Sequence, residues 1–263
     1  TRRSSDLTLT NEGTIASSKQ IAISATGDLV NAGTMKGTQL LSVASGGNLT
    51  TRKGSNTVSD GQLAVSANNI DNAGSMRGNI TYVEFSGDKL KVTGELRGHS
   101  TLTVQSKKDD KVNSGLIYNT GSISGNDVTI ITNGNLDQEG NIIGQNSLSI
   151  KTNVLDNVYY IYGKSLNIES NYVRNRATID GYNNTISAAN GILNEGQISA
   201  SGDLTLKTLN NANITNYNTI KANGSLTMTT GTVKNGGYRC GFLNLATCGK
   251  GSISAKIGRA SCR

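Results

Sequence analysis

One motif returns along this chain about every 20 residues, and its return limits the fold more than any other feature. The pattern is Asn-x-Gly-x-Ile, clearest in NEGTI (11–15), NAGTM (31–35), NAGSM (72–76), NTGSI (119–123) and NEGQI (194–198). Looser copies fill the gaps: QEGNI (138–142), NVYYI (157–161), NRATI (175–179) and NYNTI (216–220), with degenerate sites ending at Val58 and Leu96. The closing apolar residues run Ile15, Met35, Val58, Met76, Leu96, Ile123, Ile142, Ile161, Ile179, Ile198 and Ile220, spaced 20, 23, 18, 20, 27, 19, 19, 18, 19 and 22 apart. A period of this size is the mark of a solenoid, in which each repeat buries its apolar face against its neighbours.

Two further registers accompany the first. Pairs such as Ile21-x-Ile23, Leu41-x-Val43, Leu63-x-Val65, Leu102-x-Val104, Leu148-x-Ile150 and Leu226-x-Met228 alternate with period two, as do Leu7-x-Leu9 and Val83-x-Phe85. Period two is a strand signal, because successive side chains point to opposite faces. A third strand precedes each Asn and is marked by Leu29, Leu49, Ile70, Leu90, Leu136, Leu155, Val173, Ile192 and Ile214. Short strands broken by Gly, Asn, Asp and Ser, with no helical stretch between them, predict an all-β, right-handed, single-stranded parallel β-helix of about eleven coils. Eleven coils about 4.8 Å apart make a rod on the order of 50 Å long.

Composition agrees. The chain has 32 Gly, no Pro, no Trp and two Phe, so it lacks the aromatic mass of a globule built on one deep core. Proline would delete a donor from strands paired on both sides, and its absence fits. Asn and Gly tolerate left-handed φ, so their return predicts a sharp corner in every coil. Asn11, Asn31, Asn72, Asn119, Asn157, Asn175, Asn194 and Asn216 would stack there as an amide ladder.

The predicted organisation is a repeat region over 1–230, a terminal coil or hairpin carrying a cysteine pair over 231–257, and a non-native tail over 258–263 that looks like translated adaptor sequence. The net charge of +7 is spread thinly and lacks accompanying aromatics, so a nucleic-acid partner is not expected. No signal peptide and no apolar run long enough to span a bilayer are present in these residues.

N-x-G-x-I followed by S-G-x-x-L-x-I, as in NEGQISASGDLTLKT (194–208), resembles the filamentous haemagglutinin repeat. The resemblance covers about residues 6–230. It implies an interior segment of a large Gram-negative exoprotein, exported through an outer-membrane two-partner-secretion transporter and displayed as a β-helical fibre. Such fibres act in adhesion or in contact-dependent growth inhibition. The implied partner is a protein or glycan receptor on a host or neighbouring cell, and the implied location is secreted or on the bacterial surface.

Candidate sites are few, and no enzyme, cofactor or metal is expected. The rival is a polysaccharide lyase or hydrolase on the same fold, which needs carboxylates on one face of adjacent coils. Asp137 and Asp156 are 19 apart, with Asp71 in an analogous place, but each precedes a turn where Asp bonds backbone. The lone His99 has no nucleophile or second histidine at motif spacing. Lys107, Lys108, Asp109 and Asp110 sit in the longest coil and read as a loop leaving the rod. Tyr159, Tyr160 and Tyr162, with Tyr172 and Tyr182 in the next coils, form a candidate contact patch. Tyr159 replaces the motif glycine, so its ring must lie outside the corner; Tyr160 and Tyr162 flank inward Ile161 and should face outward. Cys240 and Cys248 are eight apart, close enough in sequence for a disulfide worth about 2–3 kcal/mol.

Overall fold

The computed structural model describes residues 8–107, 115–236, 238–240, 246–248, 251–255 and 261–262, with 238–240, 246–248 and 261–262 described as backbone. These residues form a parallel β-solenoid of about eleven turns, with no helix among them. A representative turn has three strands: Leu29–Asn31, Thr34–Gly37 and Leu40–Ser45. Each pairs in parallel with its equivalents one turn before and after, Leu29–Asn31 lying between Leu9–Asn11 and Leu49–Thr51. From the fourth turn onward the second and third strands often run together, as in Ser75–Phe85 and Glu95–Ser106.

Alternation decides which side chains go inward. In Leu40–Ser45 the residues Leu41, Val43 and Ser45 are buried while their neighbours stand outward. Four inward apolar columns result. The first strand supplies Leu29, Leu49, Ile70, Leu90 and their successors, and the second supplies Met35, Met76, Leu96, Ile123, Ile142 and so on to Ile220. The third strand supplies Leu41, Leu63 and Leu102 together with Val43, Val65 and Val104. Each lies on its register partner in the next turn, so the core is a continuous stack along the rod.

Four residues, Val58, Val83, Phe85 and Leu9, sit elsewhere than their sequence spacing implies. The register partner of Met35 and Met76 is Thr57, fully buried, and the half-buried Val58 points outward between Lys36 and Arg77. A slip of one residue exchanges the faces of a strand, and here a threonine took the inward place. In the fourth turn the Leu41–Leu63 column continues through Thr81, so Val83 belongs with Val43 and Val65, and Phe85 fills an extra position opposite Ala67. Leu9 pairs with Leu29 and therefore starts the first-strand column, whereas Leu7 lies outside the described residues. Thr81 satisfies its hydroxyl by donating to the Arg97 carbonyl at 2.7 Å. Asn184 takes the corresponding place opposite Leu166 and Leu204; its Nδ2 donates to the Ser199 carbonyl at 2.6 Å while its Oδ1 has no partner.

The asparagines form the expected ladder. Nδ2 of Asn157, Asn175, Asn194 and Asn216 donates to Oδ1 of Asn175, Asn194, Asn216 and Asn235 at 2.7, 2.8, 2.7 and 2.8 Å. The second proton of each goes to a backbone carbonyl of the next turn, as from Asn175 to Gln197 at 3.0 Å. Thr51 and Val92 interrupt the column, and Gln138 bends it. Gln138 accepts from Asn119 at 2.7 Å but sends its own amide to the carbonyls of Gly140 and Tyr160, which leaves Asn157 Oδ1 without a partner.

The motif glycines have a different cause from the one the sequence suggests. Positive φ occurs among the described residues only at Gly54, Gly115, Gly191, Asn210 and Asn211, none of them at the glycine position of the motif. What excludes a side chain is crowding between turns: a Cβ on Gly121 would lie 2.1 Å from the Gly94 carbonyl oxygen.

The last turns leave and rejoin the rod. Thr232–Asn235 stacks on Asn213–Asn216, Tyr238–Cys240 and Ala246–Cys248 pair as an antiparallel hairpin, and Ser252–Ala255 returns onto Thr219–Ala222. Ser261 and Cys262 pair with Thr227 and Met228.

The ladder yields opposite expectations for two substitutions. Asn175→Ala strands the Asn157 amide and the Asn194 carbonyl oxygen and lowers unfolding stability by on the order of 3 kcal/mol. Gln138→Asn brings an Nδ2 to Asn157 Oδ1 and raises it by about 1 kcal/mol. Urea unfolding followed by circular dichroism measures both; equal losses would rule out a continuous amide column.

Candidate receptor-contact surface

The tyrosine coil occupies the second strand near the middle of the rod. Ile161 is fully buried between Ile142 and Ile179, so strand alternation turns Tyr160 and Tyr162 outward together. Both are half-buried, and their rings lie nearly parallel, 8° apart, with centroids separated by 6.4 Å. Desolvation, reinforced by Asp180 and Tyr162, raises the Tyr160 hydroxyl pKa above the ordinary tyrosine value, so it stays a neutral donor.

Tyr159 stands where most turns have glycine. The residue is 55% exposed, outside the corner as expected, and the adjoining Val158 is 37% exposed. The corner opens slightly to admit it. The bond from Tyr160 N–H to the Gly140 carbonyl is 3.3 Å, against 2.9 Å for the equivalent Asn141 to Gly121 bond one turn earlier. Tyr159, Tyr160, Asn141, Ala177 and Thr178 line a shallow depression of about 300 Å³. Ile143 extends the apolar area beside Tyr162 on the preceding strand. Tyr182 is 52% exposed on the following turn, whereas Tyr172 is partly buried and its hydroxyl pKa is raised chiefly by that burial.

A charged rim borders these rings. The outward positions of the first strand read Lys91, Tyr118, Asp137, Asp156 and Arg174 on successive turns. Arg176 holds Asp156 at 2.5 Å and Arg174 holds Glu195 at 2.8 Å. Tyr118 donates to Glu139 at 3.1 Å beneath the Lys89 ammonium, 5.0 Å from its ring centre. Tyr118 was not singled out by sequence reading, because no repeat position marks it; only its adjacency to Asp137 in the stacked register brings it here.

The carboxylates considered for catalysis are thus accounted for within this rim. Asp137 and Asp156 are register partners, as their spacing implies, but Asp156 is neutralised by Arg176. Asp71 lies three turns away from Asp137 along the same column and pairs with Lys91 at 3.4 Å. His99 is exposed, but it lies within the strand Glu95–Ser106, where the register shifts between Gly98 and Thr101, and not in a turn. No cluster of three His, Cys, Asp or Glu among the described residues could hold a metal ion. Lys107 pairs with Glu84 at 3.2 Å, while Lys108, Asp109 and Asp110 lie outside the described residues. The hairpin sets Cys248 opposite Tyr238 and Cys240 opposite Ala246, and the cysteine side chains lie outside what is described.

A stacked register of this length invites comparison with known repeats. The haemagglutinin repeat model matches residues 3–53, 45–79, 89–158 and 163–256. The chain belongs to the haemagglutinin repeat family. No curated protein and no solved structure matches it. Haemagglutinin repeats are structural, adhesin-type units typical of secreted surface proteins, which agrees with a site made of contact side chains. No helix of the described residues is long and apolar enough to cross a membrane.

Asp137 carries a pH dependence of determinate sign. Its folded pKa is raised by desolvation, then by Asp156 and Glu139, with Lys89 and Arg176 opposing. A carboxylic acid whose pKa rises on folding adds stability below its unfolded pKa and loses that contribution as pH climbs through the folded pKa. Asp137→Asn should therefore raise the melting temperature at pH 7, and the gain should vanish below about pH 4. A gain unchanged from pH 7 to pH 3 would show that the carboxylate is not strained.

Proposed function

We propose that this chain is a segment of a secreted, surface-displayed adhesion fibre, exported through an outer-membrane two-partner-secretion transporter. The fibre makes contact with a receptor on a host or neighbouring cell through the tyrosine platform around Tyr159, Tyr160 and Tyr162. The observation that carries this reading is the exposed Tyr159 and Val158 beside the paired rings of Tyr160 and Tyr162.

The physical argument is one of cost. Exposed aromatic and aliphatic groups on a sheet face sacrifice hydrophobic burial, and contiguous examples mark interaction surfaces. Tyrosine suits such a surface because it brings a large rigid area and a hydroxyl with little rotamer entropy to lose. The Asp156–Arg176 and Arg174–Glu195 pairs around it supply a polar rim. The rod itself contributes reach: a stiff stack of turns carries the platform away from its anchorage.

Tyr159→Ser with Tyr162→Ser tests the reading, since both side chains are outside the core. The doubly substituted chain should keep its circular dichroism spectrum and melting temperature. Its binding to a panel of animal and bacterial cells, measured by flow cytometry, should fall about tenfold or more, the loss expected when central aromatic anchors are removed. Undiminished binding with an intact rod would move the contact elsewhere.

A further inference from the structure

The outward column that carries Ile143 and Tyr162 runs back through Ser124 into the second strands of the earlier turns, where it carries basic residues that the tyrosine platform does not use. Lys36, Val58, Arg77 and Arg97 follow one another as register partners. Arg77 and Arg97 are exposed and stand on adjacent strands, so their backbones are about 4.8 Å apart.

Two guanidiniums at one rung spacing repel, and the fold supplies no counter-charge. Among the described residues neither Arg77 nor Arg97 has a carboxylate within 4.0 Å, whereas Arg174 and Arg176 farther along the rod each hold one. The next position of the column is Ser124. Together with His99 and Asn79, the two arginines line a shallow cleft of about 430 Å³ whose far end is closed by Lys36, already neutralised by Asp60 at 3.6 Å. The Ser100 hydroxyl donates to Asn79 Oδ1 at 2.7 Å, which leaves the Asn79 amide protons for an acceptor in the cleft.

We propose that this cleft binds a single tetrahedral oxyanion, a sulfate or phosphate monoester, carried on a surface polysaccharide. A guanidinium presents a planar fork of donors that matches such a group with two hydrogen bonds. Forks on neighbouring rungs grip it from two sides, and its charge cancels their repulsion. The unpaired positive column is only two residues deep, and beyond it the surface is neutral at Lys36 and Asp60. A nucleic-acid backbone needs a longer basic track, and bases need aromatic platforms, neither of which borders the cleft. An isolated charge on an otherwise neutral glycan fits what is there. The inference requires only the solenoid register and is independent of the tyrosine platform.

The test measures retention of the intact chain on immobilised dextran sulfate, phosphomannan, plain dextran and duplex DNA at about physiological salt. One or both charged glycans should be bound at least about tenfold more tightly than plain dextran, and which of the two is bound identifies the source of the oxyanion. Arg77→Ser with Arg97→Ser should lose about tenfold or more of that affinity, while Lys151→Ser with Lys207→Ser, an equal charge loss at exposed positions on the third strand, should change it by less than about twofold. Melting curves of both variants check that the rod persists. No preference over plain dextran, equal losses in the two variants, or duplex DNA bound as tightly as the charged glycans would each overturn the proposal.

Discussion

Stacking of like on like, one turn above the next, is the interaction on which this molecule rests. A single turn has four inward apolar side chains and no opposing layer, so it has nothing to bury them against except its own copies. Parallel pairing at a fixed register solves this: Ile142, Ile161 and Ile179 become one another's core. Everything outward follows from the same register, because inward places fixed by burial leave the alternate positions facing solvent as aligned columns. Tyr162 of the tyrosine platform and the arginine pair stand on one such column, three turns apart at their nearest members.

Burial of polar groups is managed by the same repetition. An asparagine at the corner would be a liability alone, yet stacked it finds its acceptor on the turn above and sends its second proton to that turn's backbone. Where the column changes residue type, the effect is local. Gln138 diverts its amide and strands one oxygen of Asn157, and Asn184, a polar residue in a leucine column, strands another. These are weak points in an otherwise satisfied interior, and the tolerance of several of them shows how much of the stability is carried by the apolar stack.

The period and the strand alternation were legible in the sequence because burial leaves a repeating trace. Class, coil length, the Asn ladder and the outward setting of Tyr160 and Tyr162 all follow from it. Reading failed where an inward place is polar. Thr57, Thr81 and Asn184 carry no hydrophobic signal, so the neighbouring Val58 and Phe85 drew the assignment, and the rung at Asn184 and Ile186 passed unmarked. Ile117 was missed for another reason: it lies in the strand Leu116–Asn119, which follows the insertion that stretches the period to 27. The motif glycines were explained by backbone freedom when close approach of stacked turns is the cause, a distinction that one-dimensional spacing does not contain. The rim around Asp137, and the pairing of Arg77 with Arg97, exist only once the turns are laid on one another.

Distance along the rod tests the register most directly. Thr103 and Thr205 stand outward in one column, five turns apart through Thr129, Ser149, Asn167 and Thr185, and Thr227 stands one turn farther. Spin labels on Thr103 and Thr205 should give a narrow pulsed-EPR distance near 24 Å, and labels on Thr103 and Thr227 one near 29 Å, a step of about 4.8 Å for the added turn. Distances that fail to increase by one strand spacing, or broad distributions at both pairs, would contradict the stacked register from which the rest is built.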